Sequence, residues 1–487
     1  MNAHILVGFI LFRAIFRVRC YTDLENFIRI GGSLDPNVST VDYFNGSVYA
    51  KVSGHSLQKL FNFEGYNINR KLLQNDSTFL SLSREFVVYR HPVTSEILQV
   101  FSNPISGKAN EVFYVANDPV NGIIDSAPRS FVLPENQPQV SIYNSDYVLE
   151  YPNPLTPDKY KQYSAGTIYD AVELFAYIVN IPDLQTDNKS IPMCGTWMRK
   201  SEFLPWMELS TTPGSLFYTT LVWKCMDGLQ CVSSDIMNLI KSNFSKYQTA
   251  PSTDEQPNET SWTAFKKTID QRRLAGFPDI IIPDVNISSN ARAMVYNIDK
   301  RVSKILTEGS LTMSITGSAQ SEIAGISSHI LFDANGVVHV TLQPEPHRSH
   351  ADYSLQFIGN LVLLNHTTGE PLEVFDNPIT GQSIDTSHIY NQSLNVSHSF
   401  SKDSLFTIDM PSFKAVGLIG ANSPAEEPNG AWEVNLFNFI FPYEELSKDP
   451  TQAHFYGSFS TFKSWPDWMK MHGISGNVVS KFTASKF

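Results

Sequence analysis

The chain has 487 residues, 42% of them hydrophobic and 17% charged: enough apolar material for more than one core, and too little charge for a disordered polypeptide. Its formal charge of −12, with no run of Lys or Arg, excludes a protein that reads a nucleic-acid backbone and disfavours an anionic membrane surface.

In chain order, residues 5–12 form an apolar run followed by Arg13, Arg17, Arg19 and Cys20. This reads as a secretory signal over residues 1–20, because the run is too short to span a bilayer. No later stretch is long and apolar enough to do so, and no stable membrane span is expected. Ten N-x-S/T sequons agree with export to the secretory pathway, at Asn37, Asn45, Asn75, Asn188, Asn243, Asn258, Asn286, Asn365, Asn391 and Asn395. Beyond Cys20 the chain holds Cys194, Cys225 and Cys231. The last two flank a short turn-like loop and are expected to pair as a disulfide, whereas Cys194, in an apolar setting, reads as a buried thiol.

Helical patterns cover residues 21–30, 233–247, 261–273 and 290–306, and most of the remainder alternates with period two between turn signals. Four anchors recur in the same order. Gly32-Ser33-Leu34 matches Gly309-Ser310-Leu311, VFSNPISG from Val100 matches VFDNPITG from Val374, ELFAY from Glu173 matches NLFNF from Asn435, and GTWMRKSEFLPWM from Gly195 matches GSFSTFKSWPDWM from Gly457. The chain therefore reads as repeat 1 over 21–247, a linker with a short helix over 248–289, and repeat 2 over 290–487. The fold expected is mainly β: two tandem antiparallel β-barrel or sandwich-like repeats with a few short helices. In the NPI(S/T)G element the Pro and Gly make a hairpin device, with Pro104 or Pro378 opening the turn and Gly107 or Gly381 reversing the chain.

Five stretches of repeat 1, SREFVVYRHPVTSEILQVFSNPISG, VFYVANDPVN, YPNPLTPDKY, ELFAYI and GTWMRKSEFLPWM, resemble in that order domain-of-unknown-function family 1838 of bacteria and fungi. The resemblance spans residues 34–207, and typical members carry one such copy. Where members have His before the Asn-Asp-Pro segment, repeat 1 has Tyr114; repeat 2 keeps His388 and loses the Asp-Pro. A long, exported, duplicated β protein of this kind also resembles the fungal hetero-Diels–Alderases of tropolone sesquiterpenoid pathways, which join a reactive quinone methide to a humulene-type ring.

The chain has no G-x-S-x-G, HExxH, Walker loop, CxxC, or GxGxxG after a strand, and no cofactor is expected. His339, Glu345, His347 and His350 carry metal-ligand chemistry, but a strand followed by a polar loop accounts for them, and no metal is assigned. Tyr114, Trp432, Phe437, Trp465 and Met471 are read as walls for a small apolar or oxygenated aromatic ligand, and the repeated Trp206-Met207 and Trp468-Met469 pairs as core. Catalysis is assigned to polar residues at and around the positions where the repeats differ: His388, Tyr390, Glu433 and Asn435. On WEVNLFNF, Glu433 and Asn435 share one face and Trp432, Val434 and Leu436 the other. The sequon at Asn391 turns that residue outward, and His388, three residues earlier on an extended strand, points inward. The whole reads as a cofactor-independent pericyclase, a hetero-Diels–Alderase of secondary metabolism. The alternative is a secreted, glycosylated, non-catalytic binding protein for an apolar ligand.

Overall fold

Alternation of Val, Ile, Phe and Tyr with polar residues carries most of the chain into antiparallel strands. The computed structural model describes residues 21–74, 77–132, 140–164, 166–255, 258–283, 302, 306, 311–323, 326–348, 351–400, 405–411, 413–422, 431–447, 454–472 and 475–486. The expected signal segment, the sequons at Asn75 and Asn286, and His350 lie outside the described residues. So does the helix pattern over 290–306, apart from Val302 and Leu306, which are helical and buried.

The first sheet is built from β1 (Thr40–Val52), β2 (Gln58–Leu73), β3 (Phe79–Arg90), β6 (Val115–Asn117), β7 (Gly122–Ile124), β8 (Arg129–Val132), β9 (Val140–Pro152), β10 (Ile168–Asn180), β11 (Cys194–Ser201) and β12 (Gly214–Cys225), with β4 (Val100–Ser102) and β5 (Ala109–Glu111) as a separate small hairpin. Its order is β6-β3-β2-β1-β12-β11-β10-β9-β8, with β7 also on β3. The second sheet comprises β13 (Leu311–Ile323), β14 (Ile326–Arg348), β15 (Ala351–Leu364), β18 (Asn391–Phe400), β19 (Leu405–Asp409), β20 (Phe413–Asn422), β21 (Glu433–Pro442), β22 (His454–Ser464) and β23 (Ser475–Lys486), with β16 (Val374–Asp376) and β17 (Ser383–Asp385) as its small hairpin. Its order, β18-β15-β14-β13-β23-β22-β21-β20-β19, is that of the first sheet when β13–β15 are set on β1–β3, β18 on β6 and β19–β23 on β8–β12. In both, the first long strand pairs with the second and with the last, and the sheet curls away from that pair.

The two curled sheets stand back to back. Leu174, Met198, Phe217 and Leu221 of the first form one buried cluster with Ile419, Leu436 and Phe462 of the second, and Leu221 lies directly over Gly417. The inner faces therefore look away from each other and are filled separately. Helix α4 (Ser261–Leu274) covers the first: Trp262, Phe265 and Ile269 are buried in its core, and Arg272 grips Glu111 through two hydrogen bonds of 2.7 and 2.9 Å. The helix read as part of a linker is thus a cover of the first half-barrel, for a plain reason: its apolar stripe has a sheet to bury against. Helix α1 (Asp23–Gly31) docks through Arg29, whose buried guanidinium donates to the carbonyls of Asp183, Leu184, Thr186 and Asn188, and α2 (Ile181–Leu184) supplies two of these. Helix α3 (Ser234–Asn243) covers part of the first sheet's outer face beside the Cys225–Cys231 disulfide, and Cys194 is buried and free.

The repeated NPI(S/T)G element closes one end of each half-barrel in the same way. Asn103 Oδ1 accepts from the Ile105 and Ser106 amides while its Nδ2 donates to the Met207 carbonyl at 3.1 Å. Asn377 does the same with Ile379, Thr380 and Met469, the last at 2.8 Å. The ring at the strand end then meets the Trp of the W-M pair edge-on, Phe101 on Trp206 at 5.9 Å and Phe375 on Trp468 at 5.6 Å. Both asparagines and both methionines are buried.

Removing either amide strands a buried carbonyl. Asn103→Ala and Asn377→Ala should each lower unfolding free energy by about 2 kcal/mol, measured as matching shifts in the urea midpoint; Val93→Ala, at an exposed position outside the latch, should leave the midpoint unchanged.

Candidate functional site

Strand β21 has both faces buried, so its alternation sorts two apolar sets. Val434, Leu436 and Ile440 join the back-to-back cluster, whereas Phe437, Phe439 and Phe441 line the inside of the second half-barrel. Glu433 and Asn435 share that inner face by alternation. Across the curl, β18 comes close to β20 because Gly420 has no side chain: a Cβ there would lie 2.1 Å from the Phe400 ring. With Phe400 seated in that space, His398, two residues earlier on the same face, reaches β21.

His398 Nδ1 lies 2.6 Å from Glu433 Oε1, and Asn435 Nδ2 lies 3.2 Å from the same ring nitrogen. One ring N–H cannot serve as both donor and acceptor. The shorter contact assigns Nδ1–H to the Glu433 carboxylate, and the Asn435 amide then donates to that carboxylate as well. Burial pushes the Glu433 carboxyl up, but the His398 hydrogen bond, the charges of His398 and Lys463 and the Asn435 hydrogen bond outweigh it, holding its pKa below the usual carboxylate range. Two groups remain for a ligand: His398 Nε2, and Asn435 Oδ1, an acceptor on a side chain only 1% exposed with no partner among the described residues. Phe357, Phe400 and Phe437 surround the imidazole at ring separations of 5.3, 6.4 and 5.9 Å, and Phe437 stacks on Phe459 at 4.4 Å. The result is a donor–acceptor cluster set in aromatic walls.

Of the residues singled out from sequence, the structure brings Glu433, Asn435 and Phe437 together here. The others lie elsewhere. His388 sits exposed in the turn after β17, not on an extended strand, because Asp385 closes that turn on the Ser387 amide at 2.9 Å. Tyr390, Trp465 and Met471 belong to the plug at one end of the second half-barrel, with Phe375 and Met469. Trp432 packs at a tilt against Phe217 of the first sheet at 4.9 Å, and Tyr114 packs outside the first half-barrel against Phe86 and Phe244. His339 is exposed on β14 beside Thr312; Glu345 and His347 follow on the same strand, and the described residues hold no metal-binding group of three. Asn37, Asn188, Asn243, Asn258, Asn391 and Asn395 are exposed, Asn365 is half-buried, and the amide oxygen of Asn45 is buried in β1. No helix among the described residues is long and apolar enough to cross a membrane, which leaves strands unaddressed.

His398 is the residue that sequence reasoning missed. Its signal was present in NVSHSF: the sequon at Asn395 turns Asn395 and Ser397 outward, and alternation puts His398 and Phe400 on the opposite face, where both are buried.

Among solved structures, a protein of unknown function of the DUF3598 family from Nostoc punctiforme is similar at 10% identity, covering 95% of this chain and 98% of that one, with a TM-score of 0.23. The β domain of the Bordetella autotransporter BrkA is similar at 7% identity over 93% of this chain and 100% of that one, with a TM-score of 0.14. OccAB1 of Acinetobacter baumannii is similar at 7% identity over 94% and 98%, with a TM-score of 0.17. Likenesses of this size carry no argument about activity. No curated protein matches the chain. Residues 37–269, which run from just before β1 into α4 and so take in the first half-barrel with its covering helix, match the family described as a protein of unknown function, DUF1838.

Proposed function

We propose that the inner face of the second half-barrel binds an apolar, oxygen-bearing small molecule and turns it over without a cofactor. The reaction is the hetero-Diels–Alder joining of a tropolone-type quinone methide to a humulene-type terpene. The observation that carries the reading is the His398–Glu433 contact of 2.6 Å inside a wall of phenylalanines.

The chemistry asks for little else. Holding diene and dienophile together removes much of the entropic barrier, and a donor on the oxygenated partner stabilises charge that develops there. The quinone methide forms by loss of water: the leaving hydroxyl takes a proton as its C–O bond breaks, and the ring hydroxyl gives one up. His398, held at Nδ1 by Glu433, can exchange those protons through Nε2. The cycloaddition then forms its C–C and C–O bonds with no net proton transfer. A second reading, an exported glycosylated carrier of the same kind of ligand, is favoured by the exposure of the sequons at Asn37, Asn188, Asn243, Asn391 and Asn395.

Incubation with the hydroxylated tropolone precursor and humulene separates the two. The enzyme reading predicts an enantiomerically enriched adduct, with His398→Ala and Glu433→Gln lowering turnover by about 100-fold while ligand affinity changes by no more than a few-fold. Saturable binding without adduct supports the carrier, and no adduct above the uncatalysed rate removes the pericyclase.

A pH titration tests the dyad without substrate. Because the folded pKa of Glu433 is depressed, its contribution to stability is present above the ordinary glutamate pKa of about 4.3 and is lost as pH falls through the lower folded value. The Tm advantage of the native chain over Glu433→Gln should hold at pH 6 and shrink steadily towards pH 2.5. A constant difference across that range would contradict the dyad.

A further inference from the structure

The two atoms that the His398–Glu433–Asn435 cluster leaves open are of one kind. With Nδ1–H given to Glu433, the imidazole presents a lone pair at Nε2. Asn435 donates to the same carboxylate through Nδ2, and its Oδ1 can only accept. That oxygen sits on a side chain 1% exposed and has no partner among the described residues. An acceptor buried without a donor is costly, so the cluster is complete only when a donor is brought to it. Oδ1 shares its carbon with Nδ2, Nε2 shares a carbon with Nδ1, and those two nitrogens lie 3.2 Å apart. Substituents of a single small ring therefore reach both acceptors.

The surrounding charge decides which kind of donor fits. Glu433 is the carboxylate of the cluster, and its charge is already met by His398, by Asn435 and by Lys463, its cross-strand neighbour on β22. No negative charge is left over for an ammonium ligand, and Lys463 repels one. A ligand offering only carbonyl or carboxylate oxygens would set acceptor against acceptor. A neutral hydroxyl at each place fits, on a ring that packs against Phe357, Phe400 and Phe437 around the imidazole.

We propose that the site selects an aromatic ring with two neighbouring hydroxyl groups, attached directly or one carbon removed, one donating to His398 Nε2 and the other to Asn435 Oδ1. Asn435 is then the residue that sets the preference for the second hydroxyl. This rests on the binding reading above and narrows its ligand from oxygen-bearing to dihydroxylated.

Calorimetric titration of the full chain with catechol and with 2-hydroxybenzyl alcohol, each beside its dimethyl ether, tests the assignment. At least one diol should bind saturably and about tenfold more tightly than its ether, because the ether leaves both acceptors unpaired. In Asn435→Leu that preference should fall to about threefold, with the ether bound at least as well as by the unsubstituted chain; a merely structural role for Asn435 would weaken diol and ether alike. Equal binding of diol and ether to the unsubstituted chain, as when water serves the two acceptors, would overturn this inference and leave the apolar binding face standing. Binding of none of the four compounds would overturn it together with the reading it rests on. The diol–ether comparison needs no variant and stands even if Asn435→Leu does not fold.

Discussion

Two curled sheets bury their outer faces against each other through Phe217, Leu221, Ile419, Leu436 and Phe462, and this packing decides where everything else can go. A sheet with one face so committed must fill the other from its own sequence. The first half-barrel does so with α4 and its small hairpin, and the second with the stacked phenylalanines of β15, β21 and β22 and with Val302 and Leu306. The two inner faces are therefore filled separately.

Within that frame the halves share what holds them and differ in what lines them. The Asn103 and Asn377 latches make the same bonds to Met207 and Met469, as expected of a device both ends require. One turn away from identity lies the row across β10 and β21: Glu173 beside Arg199 in the first, Asn435 beside Thr461 in the second. In the second half the absence of a side chain at Gly420 admits Phe400 and brings His398 in from the edge strand, a route to the row for which the described residues of the first half show no counterpart. The frame is thus the same on both sides while the inner rows differ.

Much of this was legible in the letters. Period-two alternation placed the long strands and put Glu433 and Asn435 on one face of theirs; that this face turns inward is seen from Phe437, which shares it, in the core of the second half-barrel. What escaped were contacts made by residues distant in sequence. His398 and Glu433 are 35 positions apart and meet only because the sheet curls, which no local pattern encodes. The segment around α4 looked like a linker because its composition is polar, yet Trp262, Phe265 and Ile269 at helical spacing already specified a buried stripe. His388 holds the same position relative to its repeated hairpin as Tyr114 does to the first, but a three-residue turn, not a strand, carries it.

The central claim is that a carboxylate-held imidazole stands at the inner face of the second half-barrel. The tautomer of His398 tests it most directly, read by two-dimensional nitrogen–proton NMR of the ring on the full chain at a pH where imidazole is neutral, with His398→Gln used to assign the signal. The account predicts the Nδ1–H tautomer, with a proton shifted downfield by its bond to Glu433 and returned to the ordinary pattern in Glu433→Gln. A ring in the common Nε2–H form, unchanged by the Glu433 substitution, would contradict it.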